Sequence, residues 1–273
     1  MDPASGNPGV NEMTGEQSMI QLSGLGKVFG NIRALQNIDL SVDQGHVACV
    51  LGDNGAGKST LINIIAGLYT PTEGEYRVDG EPRLFNSPRD ALDLGISAVY
   101  QHLALVPLMP VWRNFFLGSE LSKGSGPTRR LDRATMKQIT ADALKDMGIV
   151  VKDLEQPINT LSGGQKQCVA IARAIYFGAR VLILDEPTAA LGVKQSGVVL
   201  KYVANAAREA GLGVIFITHN PHHAYMVGDS FTILSQGEVD LTAARSEISV
   251  DDLIYRMAGG AELASLEHEL GKA

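Results

Sequence analysis

The stretch "HVACVLGDNGAGKSTLINIIAGL", residues 46–68, predicts a strand, a loop and a helix in direct succession. It begins with an apolar run of strand length, crosses a glycine-rich loop, and continues with apolar residues at helical spacing. Those helical positions are Leu61, Ile64, Ile65 and Leu68. The loop matches the pattern G-x-x-x-x-G-K-[ST], whose fixed positions are Gly52, Gly57, Lys58 and Ser59.

This loop predicts a site for the phosphates of a nucleotide. Glycines leave the backbone N–H groups free to converge on phosphate oxygens, and the helix that follows contributes partial positive charge. Lys58 is expected to pair with the β and γ phosphates, and the Ser59 hydroxyl to ligate Mg²⁺. The expected binding residues of the loop are Gly52, Asp53, Asn54, Gly55, Ala56, Gly57, Lys58, Ser59 and Thr60.

A second apolar run, "VLILDEP" at residues 181–187, ends in two adjacent carboxylates. Neighbouring acids in a buried setting are unfavourable unless another group holds them. In phosphate-loop nucleoside triphosphatases, an Asp at the end of a neighbouring strand binds the Mg²⁺. Asp185 is therefore the predicted metal ligand, and Glu186 the predicted general base toward water. The structural alternative is that both acids cap the following loop.

The remaining pattern predicts an α/β core. The apolar runs "ISAVY", "GVIFIT" and "FTILS" alternate with helical patterns, which is typical of a parallel sheet covered on both faces. Residues 20–50 indicate short strands, and the turn-rich segment "PTEGEYRVDGEP" indicates another hairpin. Residues 102–160 indicate a helical insertion. Its predicted inner face is Met136, Ile139, Ala143 and Met147.

These patterns divide the chain into a flexible tail at 1–18, a main domain at 19–240 with its helical insertion, and a small helical appendage at 241–273. The net charge of −7 lacks the basic footprint of a nucleic-acid partner, so none is predicted. Cys49 and Cys168 lie in apolar runs and are predicted core thiols of a reducing compartment. No run approaches the length of a membrane span, and the N-terminus has no secretory signal pattern.

A further motif, "LSGGQKQ" at residues 161–167, narrows the class. Together with the phosphate loop and "LILDEP" it resembles the ATP-binding subunit of ABC transporters, over roughly residues 20–240. The resemblance implies a P-loop NTPase (RecA-like) core with an antiparallel β subdomain and an inserted α-helical subdomain. It also implies that ATP and Mg²⁺ are the cofactors. The catalytic residues it implies are Lys58, Gln101, Glu186 and His219, with Gln101 also near the Mg²⁺.

Two implied nucleotide contacts have structural alternatives. By resemblance Phe29 stacks on the adenine, but a phenylalanine in that pattern also fits a packed core. Ser162, Gly163, Gly164 and Gln165 are implied to bind the γ-phosphate held by a second subunit. Ser162 and Gln165 also form the sequence pattern of a helix capping box, and both roles can hold in different conformations.

The resemblance implies a homodimer with two ATP molecules in its interface, since each chain carries one copy of the motifs. It further implies an integral membrane permease, indirectly a solute-binding protein, and a peripheral position on the cytoplasmic face of the inner membrane. The stretch "LALVPLMPVWRNFFLG" is the expected docking region, although most of its apolar residues are expected in the subdomain core. Those residues are Leu105, Met109, Trp112, Phe115 and Phe116.

Finer resemblance, in "PTAALGVKQ" and "HNPHHAYMVGD", is to the single-domain branch of monosaccharide importers such as the fructose and ribose types. The sugar itself is not encoded in this chain. Rival hypotheses are an importer of another small solute, a soluble ABC ATPase of translation or repair, and a non-hydrolysing scaffold. The adjacent His222 and His223 are predicted to lie in a solvated turn.

One position departs from the family pattern. Where the family commonly has Ser-Ala-Leu-Asp after the glutamate, this chain has Ala189, Ala190, Leu191 and Gly192. One interpretation is that Gly192 supports a tight turn through its conformational freedom. The other is that the missing carboxylate weakens the link between two ATP sites.

Overall fold

The computed structural model describes residues 18–258, except for the side chain of Pro127. Most of the predicted tail and the end of the predicted appendage therefore lie outside the described residues. The strands are β1 (Ile20–Phe29), β2 (Ile32–Val42), β3 (Val47–Leu51), β4 (Glu73–Val78), β5 (Glu81–Pro82), β6 (Ile96–Val99), β7 (Ser122–Lys123), β8 (Arg130–Leu131), β9 (Val181–Asp185), β10 (Gly213–Thr218), β11 (Ser230–Ser235) and β12 (Glu238–Ala244). The α-helices are α1 (Lys58–Ile65), α2 (Pro88–Asp93), α3 (Val111–Phe115), α4 (Arg133–Asp146), α5 (Gly163–Tyr176), α6 (Val193–Ala210), α7 (Pro221–Val227) and α8 (Val250–Met257).

The main sheet has the strand order β12-β11-β3-β10-β9-β6. All its neighbouring strands run parallel except β12, which pairs antiparallel with β11 at one edge. Every residue of β3 and β10 is buried, as the continuous apolar runs predicted. The predicted α/β core with a parallel sheet is therefore confirmed.

Side chains of each central strand alternate between two hydrophobic cores. From β3, Val47, Cys49 and Leu51 join the core that contains residues of α5, α6 and α7. Ala48 and Val50 point to the opposite face and join α1 and the second sheet. Because β3 feeds apolar atoms to both faces, both must be covered, and the phosphate-loop helix lies on the second face.

The second sheet is antiparallel, in the order β2-β1-β4-β5. It contains β1 and β2 from the strands predicted over residues 20–50 and the predicted β4–β5 hairpin, whereas β3 from that first region belongs to the main sheet. Its buried side chains pack with those of α1, so the sheet braces the helix that follows the phosphate loop.

The helical insertion differs in detail from the prediction. It contains α3 and α4, and also the short β7–β8 hairpin, which the sequence pattern did not predict. Helix α4 buries Met136, Thr140 and Leu144, whereas Ile139 and Ala143 are only partly buried. Met136 and Met147 are thus buried as predicted, while Thr140 and Leu144 take the buried positions expected of Ile139 and Ala143. Thr140 can be buried there because its hydroxyl donates to the Met136 carbonyl at 2.8 Å.

The predicted C-terminal appendage is not helical throughout. Residues 241–244 continue strand β12, so the boundary proposed at 240 falls inside a strand, and helix begins only with α8. The pairing of β12 with β11 decides this, because a partner strand and not the local pattern stabilises an edge strand.

Helix α1 is shorter than the sequence pattern predicted. It ends at Ile65, and Leu68 lies beyond it with 51% exposure. Among residues 18–258, no helix is long and apolar enough to cross a membrane.

Candidate functional site

A cavity of about 540 Å³ opens at the carboxyl ends of β3, β6 and β9. In open parallel sheets this edge is where ligands bind, and the volume lies within the range of small-molecule sites. The cavity brings together several of the predicted site residues from three separate parts of the chain. These are Asn54, Gly55, Gly57, Lys58, Ser59, Thr60, Gln101, Asp185 and Glu186.

Two glycines of the phosphate loop are required by packing. A Cβ on Gly52, whose φ is 147°, would lie 2.3 Å from the Leu234 carbonyl oxygen. A Cβ on Gly57, whose φ is 104°, would lie 2.7 Å from the Leu35 side chain. Both contacts are closer than a real Cβ tolerates, so the loop can pass between β11 and β2 only with glycine at these positions. Gly55 is different, since nothing lies within 4 Å of its Cβ position and it faces the cavity.

Lys58 is buried, with 9% exposure, at the first position of α1. Its ammonium donates to the carbonyl oxygens of Gly52 at 2.6 Å and Asp53 at 2.8 Å, so the side chain curls back over the loop. Burial lowers the pKa of Lys58, while the charges of Glu186, Asp53 and Asp185 oppose that shift. The lysine thus supplies a partly desolvated charge at the loop, which strengthens its attraction to phosphate.

Asp185 ends β9 and lines the cavity opposite the loop. Burial and the neighbouring Glu186 raise the pKa of Asp185, whereas Lys58 and the backbone N–H of Gln101 lower it. Lys58 and the Gln101 N–H therefore help to stabilise the pair of carboxylates. The sequence pattern had assigned that role to a bound metal alone.

Glu186 is held by the residues that end β10. Its carboxylate accepts a hydrogen bond from the His219 backbone N–H at 2.9 Å, lies 2.8 Å from His219 Nδ1, and accepts from the Thr218 hydroxyl at 3.3 Å. The Glu186 backbone has a φ of 48°, a left-handed conformation that is uncommon for a residue with a side chain. Such strain persists where neighbouring contacts enforce it, and here it aims a 12% exposed carboxylate at the cavity.

Part of the predicted set lies outside this cavity. Gly52, Asp53 and Ala56 line a second cavity of about 740 Å³ on the other side of the loop, together with α8. That larger cavity lacks Lys58, Ser59, Asp185 and Glu186, so the smaller one is the candidate site.

Residues 162–165 also lie outside the cavity, at the start of α5. The predicted capping box is present: Gln165 N–H donates to Ser162 Oγ at 3.3 Å, and Ser162 N–H donates to the Gln165 side chain at 3.0 Å. A Cβ on Gly163 would lie 2.8 Å from Leu191, and one on Gly164 would lie 3.1 Å from Gln195. Within one chain, these glycines therefore serve the packing of α5 against the start of α6.

Phe29 ends β1 and is 40% exposed, so it is not the packed core residue that the alternative predicted. The edge of Tyr69 contacts its ring, with centroids 5.2 Å apart, and the Lys27 ammonium lies 5.0 Å from its centroid. Phe29 lies near the cavity wall formed by the start of β2 but does not itself line it.

Sequence reasoning missed several residues of the site. Ile32, Arg33 and Ala34 from β2, and Gln236 from the β11–β12 turn, line the cavity. The one local signal was the apolar Ile32, three residues after the predicted aromatic Phe29, which the structure leaves exposed. No local sequence signal points to Gln236 or to the hydroxyl of Thr218, because only the pairing of distant strands brings these residues to the site.

The prediction that His222 and His223 lie in a solvated turn is wrong. Both residues lie in the first turn of α7. His222 is exposed, and His223 is partly buried with its Nδ1 2.9 Å from the Thr188 hydroxyl oxygen. The Asn220 side chain caps the helix by accepting from the His223 N–H at 3.1 Å, and Pro221 occupies its first position. This cap and proline favour a helix over a turn.

Gly192 does not need the conformational freedom of glycine. Its φ is −70° and its ψ 160°, an extended conformation open to any residue, and nothing lies within 4 Å of its Cβ position. It occupies the N-cap of α6, where no side chain caps the helix. The tight-turn interpretation therefore lacks its physical reason.

The described residues contain no cluster of three His, Cys, Asp or Glu side chains that could enclose a metal ion. The cavity does contain the hydroxyl of Ser59, the amide of Gln101 and the carboxylate of Asp185. A hydroxyl, one carboxylate and phosphate oxygens form the oxygen-rich, partly hydrated set that Mg²⁺ prefers. The donor set therefore fits Mg²⁺ bound with a nucleotide.

Comparison with protein families finds a match to the model described as ABC transporter over residues 35–189. Among curated proteins, the fructose import ATP-binding protein FrcA of Rhizobium meliloti is 40% identical, over 90% of this chain and 96% of that protein. The xylose/arabinose import ATP-binding protein XylG of Sulfolobus acidocaldarius is 38% identical, over 86% and 92%. The ribose import ATP-binding protein RbsA of Lactococcus lactis is 35% identical over 88% of this chain, which spans 48% of that relative's length.

Solved structures give the same fold. A dimeric ATP-binding cassette in a post-hydrolysis state, bound to ADP and Pi, matches with a TM-score of 0.70 and 29% identity over 83% of this chain and 99% of that one. The protein cbiO1 from Clostridium perfringens, part of the ABC transporter complex cbiONQ, matches with a TM-score of 0.72 and 26% identity over 94% and 100%.

Proposed function

This chain belongs to the ABC transporter family, and we propose that it is the ATP-hydrolysing subunit of an importer that moves a sugar through a membrane permease. The substrate class is inferred from relatives whose names specify fructose, xylose or arabinose, and ribose import. An importer of another small solute is the alternative.

The observation that carries the proposal is the convergence of a phosphate loop, Asp185 and Glu186 on one cavity, with His219 outside the cavity lining but in contact with the Glu186 carboxylate. A scaffold that only binds nucleotide has no need of a carboxylate held in a strained conformation beside a histidine. The geometry therefore favours hydrolysis over binding alone.

The residues have separable roles in hydrolysis. The loop amides and Lys58 hold the phosphates of ATP, because they offer N–H donors and a positive charge. Glu186 acts as the general base toward the attacking water, and its contacts with Thr218 and His219 fix its direction. His219, whose side chain is 57% exposed, is free to reach the γ-phosphate.

Ser59, Gln101 and Asp185 would hold Mg²⁺ together with the phosphate oxygens. The ion, when bound, neutralises charge on the phosphates during their transfer. Phe29, with its exposed ring, is the proposed stacking surface for adenine.

A second copy of the chain completes each site. Because Ser162 to Gln165 lie outside the cavity of their own chain, they are available to contact ATP bound by a partner copy. The N-terminus of α5 and its two glycines provide the N–H groups for an anion. The proposed assembly is therefore a homodimer with two ATP molecules between its subunits.

A groove of about 330 Å³ next to Gln101 is the proposed contact with the permease. It lies between the main sheet and the helical insertion, and three of its side chains are unusually exposed for their type. These are Leu92 at 56%, Phe177 at 44% and Tyr100 at 38%. Trp112, Phe115 and Phe116 belong to the core of the subdomain, so they are not part of this contact.

The permease places the chain peripherally on the cytoplasmic face of the inner membrane. A solute-binding protein would act on it only indirectly, through the permease. A soluble ATPase stimulated by nucleic acid remains the alternative, and the following experiment separates the two.

We expect slow ATP hydrolysis by the chain alone and stimulation by a sugar permease with its loaded solute-binding protein. Gln101→Ala should reduce that stimulation more than it reduces ATP affinity, because Gln101 lines the cavity while its chain neighbours Tyr100 and His102 line the groove. Gln44→Ala is the matched control, since Gln44 is exposed before the amino end of β3. Stimulation by nucleic acid or ribosomes instead of permease would contradict the transport proposal.

The Gly192 position predicts weak coupling between the two ATP sites, with a Hill coefficient for ATP near one in the assembled transporter. Gly192→Asp should raise the coefficient, because a carboxylate restores a charge-assisted link of the size of typical couplings, about 1–3 kcal/mol. The extended backbone and open space at Gly192 accommodate the side chain. Gly197→Asp, an equally open glycine within α6, adds the same charge elsewhere. A wild-type coefficient approaching two would contradict the independent-sites hypothesis.

A further inference from the structure

The backbone that carries Glu186 continues through residues 187–192 into α6, and this segment is called here the post-glutamate loop. Its internal hydrogen bonds are Ala189 N–H to Glu186 O at 3.2 Å and Leu191 N–H to Thr188 O at 3.2 Å. These bonds join residues 186–191 to one another, so they cannot fix the loop relative to the rest of the domain, whereas Glu186 itself is tied to β10 because its N–H donates to the Ile217 carbonyl at 2.9 Å. The left-handed φ of Glu186 requires such fixing from outside.

Thr188 provides an attachment to the rest of the domain. Its side chain is 3% exposed, and its hydroxyl oxygen lies 2.9 Å from Nδ1 of His223. Among the described residues its hydroxyl has no other hydrogen-bond partner. A buried hydroxyl without a partner is costly, so this contact has both a geometric and an energetic reason to persist.

His223 is itself fixed by the segment that holds Glu186. The Asn220 side chain accepts from the His223 N–H at 3.1 Å, and Asn220 directly follows His219. Residues 218–223 therefore hold the glutamate in two ways: Thr218 and His219 contact its carboxylate, and His223 contacts its following loop.

We propose that His223 is a positioning residue for ATP hydrolysis, which through Thr188 holds the post-glutamate loop so that the Glu186 carboxylate faces the cavity. The proposal rests on the proposed role of Glu186 as general base. It assigns a function to the third histidine of "HNPHHAY", which the sequence analysis placed in a solvated turn.

Burial favours the neutral ring of His223. Burial and the charge of His222 lower the pKa of His223, Glu186 opposes that shift, and His219 adds to it. The ring is therefore neutral at neutral pH and can accept the Thr188 hydroxyl proton at Nδ1. Protonation, as the pH falls through the lowered pKa, turns Nδ1 into a donor, so it reverses this hydrogen bond and adds a positive charge beside the post-glutamate loop.

The test is a double-mutant cycle on the full chain, measured as kcat for ATP hydrolysis and Kd for ATP. Thr188→Val and His223→Leu, which remove the hydrogen bond but keep bulk, should each lower kcat roughly ten- to hundredfold, as small displacements of reacting groups do. Kd should stay unchanged, and the double variant should be no slower than the slower single variant. His222→Leu is the matched control, since His222 is exposed and makes no side-chain hydrogen bond among the described residues.

Conservative variants separate positioning from general packing. Thr188→Ser keeps the hydroxyl, and His223→Asn keeps an acceptor near the position of Nδ1 but does not titrate. Both should retain most of the wild-type kcat. The acid limb of the kcat profile should also be shallower in His223→Asn than in wild type, because asparagine does not titrate.

Additive losses in the cycle, wild-type kcat in His223→Leu, or an unchanged acid limb in His223→Asn would each overturn the proposal. The last two measurements decide it even if Thr188→Val fails to fold. Normal turnover in Glu186→Gln would instead remove the general-base role, and with it both this inference and the catalytic part of the proposed function.

Discussion

Glu186→Gln is expected to keep ATP bound and to slow its hydrolysis roughly 10²–10⁴-fold, the usual contribution of a positioned acid–base group. The physical reason is that a glutamine side chain can still accept the hydrogen bond from the His219 N–H but cannot take a proton from water. Because ATP then persists between two copies of the chain, the variant should also accumulate as an ATP-bound dimer. Turnover and sedimentation, measured on the same sample, test both parts.

The control for this prediction is Glu209→Gln, the same chemical change at an exposed position near the end of α6. It should leave turnover and dimerisation unchanged. If Glu186→Gln turned over ATP at the wild-type rate, another group would have to be the general base.

Lys58→Ala is expected to weaken ATP binding roughly ten- to hundredfold, since hydrogen bonds to charged groups contribute about 1.5–3 kcal/mol. Two effects act in the same direction. The variant removes the positive charge that faces the phosphates, and it removes the bonds from the ammonium to the carbonyls of Gly52 and Asp53 that shape the loop. Titration with a fluorescent ATP analogue measures the change in Kd.

Lys201→Ala is the control for this prediction. It removes the same charge from an exposed position in the middle of α6, so this variant should bind ATP normally. Lys58→Arg is informative as well. It keeps a charge, but the larger guanidinium does not fit where a buried ammonium bonds two carbonyls. Undiminished affinity in Lys58→Ala would mean that the loop amides alone hold the phosphates.

The sequence by itself determined the features whose parts are contiguous. The phosphate loop between β3 and α1, the adjacent acids at the end of β9, and the capping box of Ser162 each lie within a few residues. The central strands could also be predicted from the sequence, because a strand buried on both faces is a nearly continuous apolar run. Local chemistry and local pattern suffice for such elements, and they were sufficient here to indicate the family.

Only the tertiary structure decided what depends on contacts between distant segments. Strand β12 forms because β11 pairs with it, and Gln236 reaches the cavity only through the turn between them. The contacts of Glu186 with Thr218, and of Thr188 with His223, join residues more than thirty positions apart. No local pattern encodes such distances. His223, which looks solvated in the sequence, is therefore partly buried in the structure, because its hydrogen-bond partner Thr188 comes from a distant loop.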